Sequence, residues 1–144
     1  MRTLLVAAAA AGRLDPQTAS ALTAALRLGG EVDVLVAGAV VSAIAIEAAR
    51  LEGVSRVLVA DSLGLAHGSA AYLATLIVSL AGRYEAIVAP STSAGRAVMP
   101  RVAALLDVMQ VSEVVDVLGP DTFRRPIYAG SAIETVRSAD RKLV

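Results

Sequence analysis

Val32-Asp33-Val34-Leu35-Val36, the helical stretch from Val41 to Leu51, and Val57-Leu58-Val59-Ala60 decide the fold. The first and last are short apolar runs rich in β-branched residues, the signature of buried strands. Between them Val41, Ile44, Ala45, Ala48 and Leu51 share one face at helical spacing, Glu47 and Arg50 lie opposite, and Gly53 ends the helix. A strand, a helix and a second strand in that order form a βαβ unit, which builds a parallel sheet.

The same alternation extends in both directions. Upstream, Leu4-Leu5-Val6-Ala7-Ala8 predicts a strand. Asp15-Pro16 then predicts a capped helix whose stripe is Ala21, Leu22, Ala25 and Leu26, stopped by Gly29-Gly30. Downstream, a loop from Asp61 to Gly68 precedes a helix with Tyr72, Leu73, Leu76, Ile77 and Leu80 on one side. Ala86-Ile87-Val88-Ala89 predicts a fourth parallel strand. A last helix follows with the stripe Val98, Val102 and Leu105, and its Pro100 belongs in a first turn or at a kink.

Beyond Asp107 the pattern changes. Val114 to Leu118, a Gly119-Pro120-Asp121 turn, Phe123 to Tyr128 and Ser131 to Val136 predict a short C-terminal antiparallel meander. Lys142-Leu143-Val144 reads as the opening of one more strand. The expected fold is α/β: a parallel sheet with helices on both faces plus the meander, with residues 1–144 as a single domain.

Composition narrows the function. Thirteen basic and thirteen acidic residues give a net charge of zero, so no global positive field draws nucleic acid or anionic lipid. The hydrophobic fraction is 56% but aromatics are 3%, and about a fifth of the chain is alanine, so the core packs small side chains closely. Ser62 to Gly82 carries no charge, yet His67, glycines and hydroxyls break it up, which favours a buried helix over membrane insertion. The Met1 to Val6 segment likewise suits a buried strand better than a secretory leader. With no cysteine there is no disulfide framework or thiolate chemistry, which points to a soluble protein of the cytoplasm or an organellar matrix.

Candidate chemistry is sparse. Ser91, Thr92, Ser93, Gly95 and Arg96 follow the fourth strand and precede a helix, the composition of an anion site and equally of an ordinary capping or interface loop. Neither G-x-G-x-x-G nor G-x-x-x-x-G-K-[ST] occurs, which disfavours a dinucleotide site. His67 has no carboxylate partner in view and reads as a loop or capping residue. Asp15, Asp33, Asp61, Asp107 and Asp116 are scattered singly and read as caps and solvated edges. Arg124 and Arg125, beside Pro126-Ile127-Tyr128, suit either a charge-protected edge strand or a contact with a partner subunit. No nucleophile, base and orienting group cluster, so an enzyme is the least supported class.

Several segments resemble the N-terminal domain of the alpha subunit of electron transfer flavoproteins. They are Leu28 to Val32, Gly53 to Asp61, Met99 to Val108, Gln110 to Val114 and, most specific, Thr122 to Val136. The resemblance implies a Rossmann-like domain related to adenine nucleotide alpha-hydrolase folds, packed beside a beta subunit. That complex carries electrons from acyl-CoA and other dehydrogenases toward the respiratory chain. It also implies that FAD is held by a C-terminal domain that nothing in these residues matches, and AMP by the beta subunit, so this chain is expected to bind neither. Where the family usually has Glu-His after its first strand, this chain has Ala8-Ala9. Where it has Phe-Gly-Lys-Asn, this chain has Ala94-Gly95-Arg96-Ala97. The expected role is scaffold and subunit interface, with Arg124, Arg125 and Tyr128 as interface residues and self-association expected when the partner is absent. The alternative is a free-standing AMP- or ATP-binding module of the universal stress protein type, using Ser91 to Arg96.

Overall fold

The computed structural model describes residues 1–144. In chain order the elements are β1 (Arg2–Val6), β2 (Ala9–Ala10), β3 (Arg13–Leu14), α1 (Gln17–Arg27), β4 (Glu31–Gly38), α2 (Ser42–Ala49) and β5 (Val54–Asp61). There follow α3 (Ala70–Leu80), β6 (Ala86–Val88), α4 (Ser93–Leu106), β7 (Asp116–Val117), β8 (Thr122–Ile127) and β9 (Ala132–Arg137). The central sheet is parallel with order β5-β4-β1-β6.

Side-chain alternation sorts the sheet into two buried faces. Leu4, Val6, Leu35 and Ile87 pack against Ala74 and Ile77 of α3 and Val98 and Val102 of α4. Leu5, Val34 and Val36 pack against Ala21, Leu22 and Ala25 of α1 and Ile44 and Ala48 of α2. Burial on both faces is why these strands are mostly apolar, with Thr3 and Asp33 as the buried polar exceptions. Ala25, Ala48 and Ala74 are fully buried, so alanine is what lets the helices approach the sheet closely.

The antiparallel meander forms as expected, a three-stranded sheet with order β7-β8-β9. Phe123 buries against the body beside Leu28 and Ala86, with Val114, Val117, Val136 and Leu143 around it. Leu143 opens a further strand position, bridging Ala86 in parallel along the outer edge of β6. Its N–H donates to Glu85 O and its carbonyl accepts from Ile87 N, both at 2.9 Å.

Several expectations are corrected. The first strand is Arg2–Val6, and the alanines after it form a hairpin, β2 to β3, turning at Ala11 (φ 52°) and Gly12 (φ 76°) as a type I′ pair requires. The buried line of α3 runs through Ala74 and Ile77, leaving Tyr72 exposed, and in α4 Met99 and Ala103 are buried while Leu105 is exposed. Alanines carry part of both stripes, so choosing the large residues rotates the inferred face. Pro100 lies inside α4, where it leaves the Arg96 carbonyl without its intrahelical donor. β8, which holds Arg124, Arg125 and Pro126, is the central strand of its sheet, not an edge. β7 pairs only with Phe123 and Arg124, so at Pro126 one side of β8 is already open and a missing N–H costs little.

Asp33 is the largest departure: it is fully buried on β4, not capping or solvated. Its register partner Arg56 donates through Nη2 (2.8 Å) and Nε (3.3 Å), and the buried Tyr84 hydroxyl donates at 2.9 Å. Burial pushes the carboxyl pKa up. The bonds from Arg56 and Tyr84 and the charges of Arg56 and Arg2 outweigh it and hold the group below its ordinary value. The same burial and the bond to Asp33 raise the Tyr84 phenol. Nearby, the Lys142 ammonium donates to the carbonyls of Ala81 (2.7 Å) and Tyr84, and burial lowers its pKa. All of this lies at the amino end of the sheet, away from where open α/β sheets take ligands.

Candidate functional site

The strand order reverses direction between β1 and β6, so the crevice outside their carboxyl ends is the place to look for a ligand. That crevice, lined by Val6, Ala7, Ala8, Ala89, Pro90 and Thr92 among others, measures about 40 Å³. Small-molecule sites run to roughly 300–1,000 Å³. A nucleotide has no room there.

The Ser91 to Arg96 loop does lie at this edge, and the side chains of Ser91, Thr92 and Arg96 are already engaged. Thr92 caps α4, its Oγ1 accepting from Gly95 N at 3.1 Å. A Cβ on residue 95 would stand 2.1 Å from the Pro90 carbonyl oxygen, so glycine is there to let strand end and helix start touch. Ser91 and Arg96 converge on a residue no sequence motif had singled out as chemistry, Glu113. Ser91 Oγ donates to Glu113 Oε1 at 2.9 Å, Arg96 Nη2 stands 3.1 Å from that oxygen, and Arg96 Nε donates to Ser91 Oγ at 3.1 Å. The anion at this loop is therefore the chain's own carboxylate. Ser93 is exposed at the start of α4.

The other helices at this edge follow the same pattern. Asp15 Oδ1 accepts from Gln17 N at 2.9 Å at the start of α1. Thr18 Oγ1 accepts from Ala8 N at 3.1 Å and seals the end of β1 where the family pattern has Glu-His. Asp61 accepts from Val40 N (2.9 Å) and Val41 N (3.4 Å) before α2, holding Val40 at φ 57°, an unusual conformation for a β-branched residue. Ser69 caps α3 through Tyr72 N. Asp15 and Asp61 thus behave as the caps expected of them. His67 is exposed in the loop before α3 and caps nothing. No three His, Asp or Glu side chains converge as metal ligands would.

A larger cleft of about 360 Å³ runs along β6 on the α1 side, between Ala21, Ala24 and Leu28 and the 110–114 segment, with Phe123 at one end and Ser91, Arg96 and Glu113 at the other.

The expected interface residues do not form one cluster. Arg124 and Arg125 project to opposite faces of the antiparallel sheet. Arg124 is 4.0 Å from Asp116, and the Arg125 guanidinium is tied to its register partner Glu134. Tyr128 lies at the tip of the β8–β9 hairpin, 80% exposed, where Tyr128 and Ala129 both have positive φ. Ile133 and Val115 are also exposed on this sheet. Ile133 was legible as the odd member of the alternating run Ala132 to Arg137; Val115, between two half-buried neighbours, carried no such signal.

Comparison with known proteins decides the lineage. The model of the electron transfer flavoprotein domain matches residues 3–144. This chain belongs to that family. It is 58% identical over 144 residues to an electron transfer flavoprotein subunit alpha of Bradyrhizobium diazoefficiens, covering 100% of this chain and 46% of that protein. It is 49% identical over 139 residues to the subunit alpha of Pseudomonas aeruginosa, covering 96% and 45%. With the subunit alpha of Paracoccus denitrificans it shares 49% over 144 residues, covering 100% and 47%. The chain spans a little under half the length of these curated relatives. No helix is long and apolar enough to cross a membrane.

Proposed function

We propose that this chain is the scaffold and partner-binding domain of an electron transfer flavoprotein alpha subunit, serving electron transfer from dehydrogenases without redox or acid–base chemistry of its own. The observation that carries this reading is the self-filled carboxyl edge. Thr92 and Glu113 at α4, Asp61 at α2 and Asp15 at α1 take up donors that a phosphate or pyrophosphate would use, and the crevice at the β1–β6 switch point holds about 40 Å³. The 360 Å³ cleft beside β6 is large enough for a small molecule, but its one cation, Arg96, is paired with Glu113 and offers a phosphate no free charge, so FAD and AMP of the complex belong to sites outside residues 1–144. A relative named subunit alpha works with at least one other subunit. The antiparallel sheet, with Tyr128, Ile133 and Val115 exposed, is the surface offered to a beta subunit.

The test is equilibrium titration of the chain with FAD and with AMP, followed by flavin fluorescence and calorimetry. Neither should bind at millimolar ligand. Stoichiometric FAD, reducible on this chain alone, would overturn the scaffold reading, and AMP bound at the 91–96 loop would restore the nucleotide module.

A further inference from the structure

The segment from Val108 to Val115 joins the parallel body to the antiparallel sheet without regular secondary structure. Asp107 (φ 55°) and Glu113 (φ 58°) bracket most of it in the left-handed region that residues other than glycine rarely adopt. Val111 and Val114 pack against the Phe123 cluster, and the ends are tied by Val108 N to Ala103 O (3.1 Å) and Val115 N to Arg124 O (2.9 Å). Val111 N donates to Val144 O at 2.8 Å, Met109 N to Asp140 Oδ2 at 2.8 Å, and the Glu113 carboxylate takes Ser91 and Arg96 from the rigid start of α4. Three residues beyond Glu113, Asp116 meets Arg27 of α1 at 2.7 Å.

We propose that Glu113 is the latch that aligns the antiparallel sheet on the body, closing the 108–115 strap over the cleft beside β6. The placement is specific: a strained backbone position is held where its carboxylate reaches a hydroxyl and a guanidinium on a different element. Releasing that carboxylate loosens the strap at the carboxyl edge, while Phe123 and the Arg27–Asp116 pair keep the sheet seated on the body. This assignment rests on the reading of that sheet as the docking element, whose entry from the body the latched strap forms.

Hydrogen exchange on the 144-residue chain tests it. In Glu113→Gln and in Arg96→Ala, amides of 110–117 should exchange about fivefold faster, the size expected for an exposed ion pair, while β8 and β9 amides keep their rates. The double variant should add nothing, and the swapped pair Glu113→Arg with Arg96→Glu should restore protection. Glu134→Gln, which breaks an ion pair inside the sheet, should leave 110–117 unchanged. Unaltered exchange in both single variants, or additive effects, overturns the latch. If the strap loosens while affinity for a beta subunit holds, the latch stands and the docking reading fails.

Discussion

In the parallel body, clusters of 13 and 10 buried residues fill the two faces of the sheet, whereas three buried residues, Leu28, Ala86 and Phe123, join the antiparallel sheet to it. Around those three pack half-buried valines, among them Val111, Val114, Val117 and Val136, and the polar part of the attachment is led by two half-exposed ion pairs, Arg27 to Asp116 and Arg96 to Glu113. The body therefore owes its stability to extensive apolar burial, whereas the smaller sheet rests on a small apolar contact and on ion pairs that salt screens. The more lightly held sheet, with Tyr128 exposed at its tip, is the part that the proposed docking role assigns to a partner.

The sharpest challenge to the body is Asp33→Ala, which leaves the Tyr84 hydroxyl buried without its acceptor. A loss of about 3 kcal/mol is expected by urea unfolding, near the low end for broken buried pairs because Arg56 can regain water. The pH dependence has a definite sign. The Asp33 carboxyl sits below its ordinary value of 3.8 in the folded chain, so its contribution is present above that value and disappears as pH falls below it. Asp33→Asn should flatten that part of the acid limb; an unchanged acid limb would contradict the assignment.

Gly95→Ala forces a Cβ onto the Pro90 carbonyl and should cost about 2 kcal/mol by overpacking, read as a lower Tm. Thr3 Oγ1 is buried with no hydrogen-bond partner, so Thr3→Val should stabilise the body by about 1 kcal/mol in the same assay. Tyr128→Ala in the appendage should change stability by less than about 0.5 kcal/mol. A large destabilisation there would show that the tip is structural and would erase the contrast between the two regions.

Much of this architecture is legible in the sequence because the strands of a doubly covered sheet must be largely apolar, as Ala86 to Val88 are throughout and Val32 to Val36 are but for Asp33. Alanine obscured the rest. It hid the β2–β3 hairpin, whose alanines alternate with nothing, and shifted the inferred faces of α3 and α4. Asp33 inside an apolar strand cannot be distinguished from an edge residue until Arg56 and Tyr84 are seen to converge on it. Ser91 and Arg96 were visible as a loop, but their partner Glu113 stands 22 and 17 residues further on, on a segment without periodicity. What made the loop resemble an anion site is the same chemistry that lets the chain fill it from within.

Sedimentation velocity of the chain mixed with an electron transfer flavoprotein beta subunit in flavin-free buffer tests the central claim most directly. The account predicts a one-to-one complex at micromolar concentrations that Tyr128→Ala weakens about tenfold or more, as for an aromatic interface anchor. Two separate boundaries at all concentrations, or a complex indifferent to every change on the antiparallel sheet, would contradict it.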